Sequence, residues 1–179
     1  NDAVTRAYFA ERGYFGLPAA DVTFFPQGTL PCLTEPGGKV ILKGILDADD
    51  ARMALKVGAD AIIVSNHGGR QLDGAISSIR ALPSILEAVG DQIEVHLDSG
   101  IRSGQDVLKA MAMGAKGTYI GRAFIYGLGA MGQAGVTSAL EVIHKELDLS
   151  MALCGETSVA GLGKHNLLIP KGFEGDWQP

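Results

Sequence analysis

Four short apolar runs, each followed by a helical pattern, constrain the fold of this chain more than any other feature of its sequence. They predict strands at 40–43, 61–64, 93–97 and 117–120. Continuous apolar strands separated by helices are typical of a parallel sheet that is covered on both faces. The repeating order of strand and helix therefore predicts an α/β protein built from four βα units.

Start and stop signals mark the intervening helices. Asp47 is a suitable N-cap for the first, which is predicted to end just before Gly58, and Pro83 suits the first turn of the second. Ser103 is predicted to cap the third helix, which ends at Gly114. A fourth helix is predicted over residues 136–147.

Repeated βα units favour one particular architecture. The segment around Gly58 resembles the segment around Gly114, two units later, which is a weak internal repeat. Such units build a (β/α)8 barrel, which needs eight strands and about 250 residues. Four strands predict half of such a barrel, and a doubly wound open sheet is the alternative.

The two ends of the chain do not continue the alternation of strands and helices. Residues 1–38 are predicted to form a separate segment with a helix at 3–12, a strand at 22–25 and a loop at 27–38. The half-barrel domain is predicted over 39–160. Residues 161–179 form a tail, expected to be poorly structured or docked on a surface.

Composition excludes several classes of function. The net charge of −5, without a basic stripe, argues against nucleic-acid binding. No apolar run is long enough to span a bilayer, and no signal-peptide pattern is evident, so the cytoplasm is the expected location. Cys32 and Cys154 lie far apart, which predicts neither a disulfide framework nor a metal site.

Polar residues follow each of the four strands, at the end where active sites of such barrels lie. They are Lys43, then Ser65, Asn66 and His67, then Asp98, and finally Gly121 and Arg122. Any one of them alone could be a solvated loop residue or a member of an ion pair. All four strand ends together indicate a site.

Residue types at these ends indicate the chemistry. Gly100 and Gly121 allow backbone N–H groups to approach an anion, and Arg102 and Arg122 supply charge, so a phosphate site is predicted at the last two strands. His67 suits a proton acceptor.

Arg70 completes the predicted constellation. It lies three residues after the histidine, and its planar fork suits a carboxylate. A base, a carboxylate clamp and a bound phosphate together predict chemistry at the α-carbon of a small acid beside a phosphorylated cofactor.

Four sequence strings then carry a specific resemblance. They are LKGI at 42–45, SNHGGRQLD at 65–73, DSGIR at 98–102 and GRAF at 121–124. Together they resemble the FMN-dependent α-hydroxy-acid dehydrogenase family, whose members include L-lactate dehydrogenase and glycolate oxidase. The resemblance covers residues of about 40–158 and implies the C-terminal half of a barrel with FMN as its cofactor.

The resemblance also implies residue roles. Lys43 and Ser65 would contact the flavin, His67 would accept a proton and Arg70 would bind the substrate carboxylate. Residues that would hold the ribityl chain and phosphate are Asp98, Gly100, Arg102, Gly121 and Arg122. The family's first four strands, with two tyrosines and the aspartate that pairs with the histidine, have no matching positions.

The N-terminal segment carries a second resemblance. Residues of about 1–42, with GYFGL at 13–17 and VTFFPQGTLPC at 22–32, resemble a fragment of UDP-N-acetylhexosamine pyrophosphorylase. That family's nucleotide loop and metal-binding aspartate are missing, so uridylyl transfer is not expected.

Three functional hypotheses follow. The first is FMN-dependent oxidation of a small L-2-hydroxy acid, impaired by the missing half of the barrel. The second is a catalytically silent half-barrel that binds FMN or phosphate, and the third is a nucleotide-sugar protein. A half-barrel exposes apolar surface, so a homo-oligomer is expected.

Overall fold

A computed structural model of the chain describes residues Ala7, Ala10, Glu11 and 39–173. The first three are helical and fall within the helix predicted at 3–12, whereas the strand predicted at 22–25 lies outside the described residues. Chain contacts divide the protein into two compact units, Asn1–Pro36 and Gly37–Pro179.

The second unit contains four strands that alternate with four helices. The strands are β1 (Ile41–Ile45), β2 (Ala61–Val64), β3 (Glu94–Leu97) and β4 (Gly117–Thr118). The helices are α1 (Ala48–Lys56), α2 (Ser78–Val89), α3 (Gly104–Met113) and α4 (Arg122–Leu153). Four consecutive βα units are therefore confirmed.

All strand pairs are parallel, and the strands lie side by side in chain order. A doubly wound sheet would instead reverse its order at a switch point. Sequential order is the arrangement of a (β/α)8 barrel, so the half-barrel prediction is confirmed and the open-sheet alternative is wrong.

Three strands differ from their predicted bounds, and β3 begins one residue late, at Glu94. β1 continues past Lys43 to Ile45, with an irregular register between those residues, where Gly44 has φ +100°. Lys43 therefore lies within the strand, although we predicted that it ends it. β4 has only two residues. Its pairing with β3 stops at Leu97 and Thr118, so the strand ends before the predicted residue 120.

The core lies between the sheet and its helices. Val64 on β2, Leu97 on β3 and Leu82 on α2 have essentially no exposed surface. Successive side chains of a strand point to opposite faces of the sheet. Glu94 and His96 of β3 therefore point to the face opposite Leu97. One sheet face is thus packed against helices and the other carries polar groups.

Cap residues begin two of the four helices as predicted. Asp47 accepts hydrogen bonds from the backbone of Asp49 and Asp50 at the start of α1. Ser103 forms a capping box with Asp106 at the start of α3. The expectation for Pro83 is wrong, because α2 begins five residues earlier and Pro83 lies inside it, where its missing N–H removes one helical bond.

Helix α4 is much longer than the predicted 136–147 and is broken at Met131 and Gly132. A Cβ at Gly135 would lie 1.8 Å from the carbonyl oxygen of Gly127. A straight helix would separate two such residues by about 12 Å, so the chain folds back at the break. The glycines permit this contact.

The tail packs on the half-barrel as far as it is described. Leu167 and Phe173 contact the core, and the Arg80 guanidinium donates a 3.2 Å hydrogen bond to the carbonyl oxygen of Gly172. Of the two alternatives for the tail, docking is therefore correct for residues 161–173. In the described part of the chain, no helix is long and apolar enough to cross a membrane.

Candidate functional site

A cleft of about 850 Å³ opens where the strands end. Eight of the nine predicted site residues line it, and they are Lys43, His67, Arg70, Asp98, Gly100, Arg102, Gly121 and Arg122. The ninth, Ser65, is buried beneath the cleft and contacts Lys43. The parallel sheet brings them together because all four strands run in one direction.

Lys43 and Asp98 form a charge pair at the base of this cleft. The Lys43 Nζ lies 2.7 Å from Asp98 Oδ2 and donates a 3.0 Å hydrogen bond to Ser65 Oγ. Burial raises the pKa of Asp98, but hydrogen bonds from Lys43, Ser65 and Ser99, with the charge of Lys43, lower it overall. Asp98 is therefore a carboxylate at neutral pH, as its contact with an ammonium requires.

The loop after β2 presents His67 and Arg70 at the surface of the cleft. Asn66 shapes the turn: its Oδ1 accepts a hydrogen bond from Gly69 N, and its Nδ2 donates to the carbonyl of Ile76. His67 has a left-handed backbone, with φ +55°. Within the described residues, the His67 ring has no hydrogen-bond or ion-pair partner.

The start of α4 has unused backbone donors. Its N-cap is Gly121, so no side chain caps the helix, whereas the start of α3 is closed by Ser103 and Asp106. A helix N-terminus with free N–H groups attracts anions. Gly121 has no atom within 4 Å of the position of a Cβ, which leaves room for a ligand.

The Arg122 guanidinium reaches across the cleft to the histidine loop. Its Nη2 donates a 3.1 Å hydrogen bond to the carbonyl oxygen of Gly68. The side chain thus lies between the N-terminus of α4 and the turn that carries His67.

Positive charge predominates in the cleft, although the whole chain has a net charge of −5. Its lining includes one carboxylate and four cationic side chains, and these are Asp98, Lys43, Arg70, Arg102 and Arg122. Such a lining attracts anions. In residues that the structure describes, no group of acidic, histidine and cysteine side chains could hold a metal ion.

The sequence profile of the family described as FMN-dependent dehydrogenase matches residues 32–169. The chain belongs to the FMN-dependent dehydrogenase family. The match is longer at both ends than the 40–158 expected from the motifs. It also includes residues 32–42, which we had grouped with the pyrophosphorylase-like segment; the resemblance of the remaining N-terminal residues stays a prediction.

Similar proteins support this assignment to the FMN-dependent dehydrogenase family. The chain is 56% identical over 131 residues to an L-lactate dehydrogenase of Azorhizobium caulinodans, a match that covers 73% of this chain and 34% of that protein. It is 54% identical over 131 residues to an L-lactate dehydrogenase of Pseudomonas putida. The chain spans about a third of the length of these relatives.

Solved structures of mandelate oxidase are also similar to this family member. One with benzoyl-formic acid has a TM-score of 0.69 and 49% identity, and the match covers 71% of this chain and 38% of that chain. Another, with a monooxide FMN adduct, has the same TM-score and identity. The cofactor prediction is therefore confirmed for the family.

The residues present in this member of the FMN-dependent dehydrogenase family fit the cofactor. FMN carries a phosphate, and the uncapped α4 N-terminus with Arg102 and Arg122 is a donor set suited to that anion. The ammonium of Lys43 would suit a ring that gains negative charge on reduction.

Sequence reasoning missed Ser99, Tyr119 and Tyr126. The two tyrosines line the cleft and are exposed, at 41% and 73%. Ser99 contacts Asp98, Ser65 and Gly68 through one hydroxyl. A serine directly before a glycine at a strand end was a signal for Ser99, whereas nothing in the sequence marked the tyrosines.

Proposed function

We propose that this chain carries part of the active site for FMN-dependent oxidation of a small L-2-hydroxy acid, such as L-lactate, to the 2-oxo acid. One observation carries the proposal: His67, Arg70 and the Lys43–Asp98 pair line a single cationic cleft. Its similarity to L-lactate dehydrogenases favours a lactate-sized substrate.

Two side chains of one loop act on the substrate in this proposal. The Arg70 guanidinium binds the carboxylate through two parallel hydrogen bonds. His67 accepts a proton, either from the hydroxyl or from the α-carbon, as the acid loses two electrons and two protons in total. Bound FMN supplies the acceptor for the two electrons.

Cofactor binding in this proposal uses the other side of the cleft. The phosphate lies at the N-terminus of α4 and is held by Gly100, Arg102, Gly121 and Arg122. Asp98 and Ser65 contact the ribityl chain or the ring, and Lys43 stabilises negative charge on the reduced ring.

A catalytically silent module that binds FMN or phosphate is the second candidate. It is favoured by the exposed His67 ring, which lacks a carboxylate partner among the described residues. A carboxylate that orients a catalytic histidine and stabilises its protonated form is worth several orders of magnitude in rate. We further propose cytoplasmic location and self-association for either candidate.

Anaerobic flavin spectroscopy tests the proposal. The full chain is loaded with FMN and mixed with L-lactate, and bleaching of the flavin absorbance is followed. We expect slow bleaching that His67→Ala abolishes without loss of bound FMN, while His144→Ala, an exposed histidine on α4, leaves the rate unchanged. Bound FMN that L-lactate never bleaches would favour the silent module, and bleaching independent of His67 would refute its role as the base.

A further inference from the structure

The turn after β3 places a serine in a conformation that serines rarely adopt. Ser99 has φ +69° and is followed by Gly100 with φ +99°. A non-glycine residue in this region is strained, and such residues cluster at functional sites. Glycine would be the less strained choice at this position.

The Ser99 hydroxyl joins two parts of the cleft. It donates a 2.6 Å hydrogen bond to Asp98 Oδ1 and accepts a 2.9 Å hydrogen bond from the backbone N–H of Gly68. A hydroxyl has one donor and two acceptor sites, so both contacts are compatible. The carboxylate of the charge pair is thereby connected to the residue that follows His67.

The two peptide groups around His67 are therefore both held by serines. The N–H of His67 donates to Ser65 Oγ at 3.1 Å, and that hydroxyl lies 3.5 Å from Ser99 Oγ. The carbonyl oxygen of Gly68, in the next peptide group, accepts a hydrogen bond from Arg122. Groups from three strand ends thus fix the backbone on both sides of an exposed imidazole.

We propose that Ser99 is a positioning residue for His67: its hydroxyl fastens the Gly68 peptide to Asp98 and so sets the place of the imidazole relative to the Lys43–Asp98 pair. The significance of this placement for a reaction rests on the proposed function. The placement of the imidazole does not depend on the proposed function, and it can be measured in the chain without cofactor or substrate.

Amide hydrogen exchange of the full chain, followed by NMR, tests the inference with two variants. Ser99→Ala removes the hydroxyl and keeps the backbone restriction, whereas Ser99→Gly removes the hydroxyl and relieves the strain. In both variants we expect the Gly68 amide to exchange about 5- to 10-fold faster, the scale of one lost hydrogen bond. Ser84→Ala, which removes a hydroxyl from α2, is the matched control and should leave Gly68 unchanged.

The imidazole itself supplies the second measurement. We expect the His67 ring resonances to shift in both Ser99 variants, while those of His144 stay in place. Unchanged Gly68 exchange in both variants would overturn the inference, and so would a freed Gly68 amide with unshifted His67 resonances, since Ser99 would then stabilise only the turn. Because Ser99→Gly relieves strain, it keeps the test valid if Ser99→Ala folds poorly.

Loading with FMN separates the two proposals. If L-lactate reduces the FMN bound to the parent chain, Ser99→Gly should slow this reduction at saturating substrate and leave the affinity for FMN unchanged. If the exchange and ring shifts occur but no variant, nor the parent chain, is reduced by L-lactate, the proposed function fails and the positioning of His67 stands. Full reduction rates in Ser99→Gly would overturn the positioning role.

Discussion

At the scale of residues, the Lys43–Asp98 pair organises the cleft. The Asp98 side chain is 14% exposed, and the carboxylate is held by the ammonium and by hydroxyl donors. Lys43 is 43% exposed, so water screens part of its attraction. Hydrogen bonds to the ionised form therefore add to the pair's Coulomb energy.

The lowered pKa of Asp98 predicts a dependence of stability on pH. The folded pKa lies below the ordinary value of 3.8, so the unfolded chain binds this proton more readily. The contribution of Asp98 is then fully present above about pH 4 and is lost as the pH falls through its folded pKa. Urea unfolding at several pH values should show the stability difference between the parent chain and Asp98→Asn shrinking below that pH.

A control variant makes this measurement specific. Asp73→Asn changes an exposed carboxylate in the loop after β2. Its stability difference from the parent chain should be small at every pH. If Asp98→Asn gives a difference that grows towards low pH, the carboxylate is not held in its ionised form.

The arginines at the last two strand ends predict a phosphate contact. Arg102→Ala and Arg122→Ala should each weaken FMN binding by about 1.5–3 kcal/mol, the scale of a hydrogen bond to a charged group. Titration of the quenching of FMN fluorescence measures the affinity. Arg80→Ala is the control, because its guanidinium contacts Gly172 and the ring of Phe173 instead of the cleft. Unchanged affinity in both cleft variants would refute the assignment.

At the scale of elements, the packing of α3 on α4 supports the site. A Cβ at Gly104 would lie 1.9 Å from the backbone nitrogen of Leu147, so the helices meet backbone to backbone. The carboxylate of Glu146 also accepts a 2.9 Å hydrogen bond from Gly104 N. The contact holds the part of α4 that follows the break against the start of α3, two residues after Arg102.

Gly104→Ala is therefore expected to destabilise the protein. The clash is with backbone, which cannot rotate away, so we expect a loss of about 2–3 kcal/mol in the free energy of unfolding. Gly129→Ala is the matched control, because a Cβ there meets nothing within 4 Å and alanine favours a helix by about 0.5–1 kcal/mol. Chemical denaturation of both variants checks the pair, and equal effects would contradict the proposed helix contact.

At the scale of the whole molecule, apolar side chains remain at the surface around the break in α4. The larger ones are Ile125, Tyr126, Leu128 and Met131, each at least half exposed. Within residues 39–173, β1 and β4 each pair with one strand only. Exposed apolar surface and open sheet edges favour association with another protein surface.

This surface predicts self-association. Light scattering should show a dimer or a larger species whose population rises with concentration. Leu128→Lys and Met131→Lys together should shift it towards monomer, because each places a charge in the apolar surface. Leu168→Lys, a fully exposed leucine in the tail, is the control and should leave the association unchanged. A monomeric parent chain with a cooperative thermal transition would contradict the prediction.

The sequence by itself determined the order of elements and most of the site. Apolar runs at strand length and caps such as Asp47 and Ser103 are local signals, so they can be read without tertiary structure. The positions of His67, Arg70, Arg102 and Arg122 followed from them, because parallel strands bring their carboxyl ends to one edge.

Only the tertiary structure decided the remaining features, because they depend on contacts between residues distant in the chain. The break in α4 rests on the contact of Gly127 with Gly135, and the continuation of β1 beyond Lys43 on pairing with β2. The sequence marks Ser99 only by its place before a glycine at a strand end, and its contact with Gly68, 31 residues away, forms only in the folded sheet. Local patterns specify which elements form, and packing decides where they end and which side chains meet.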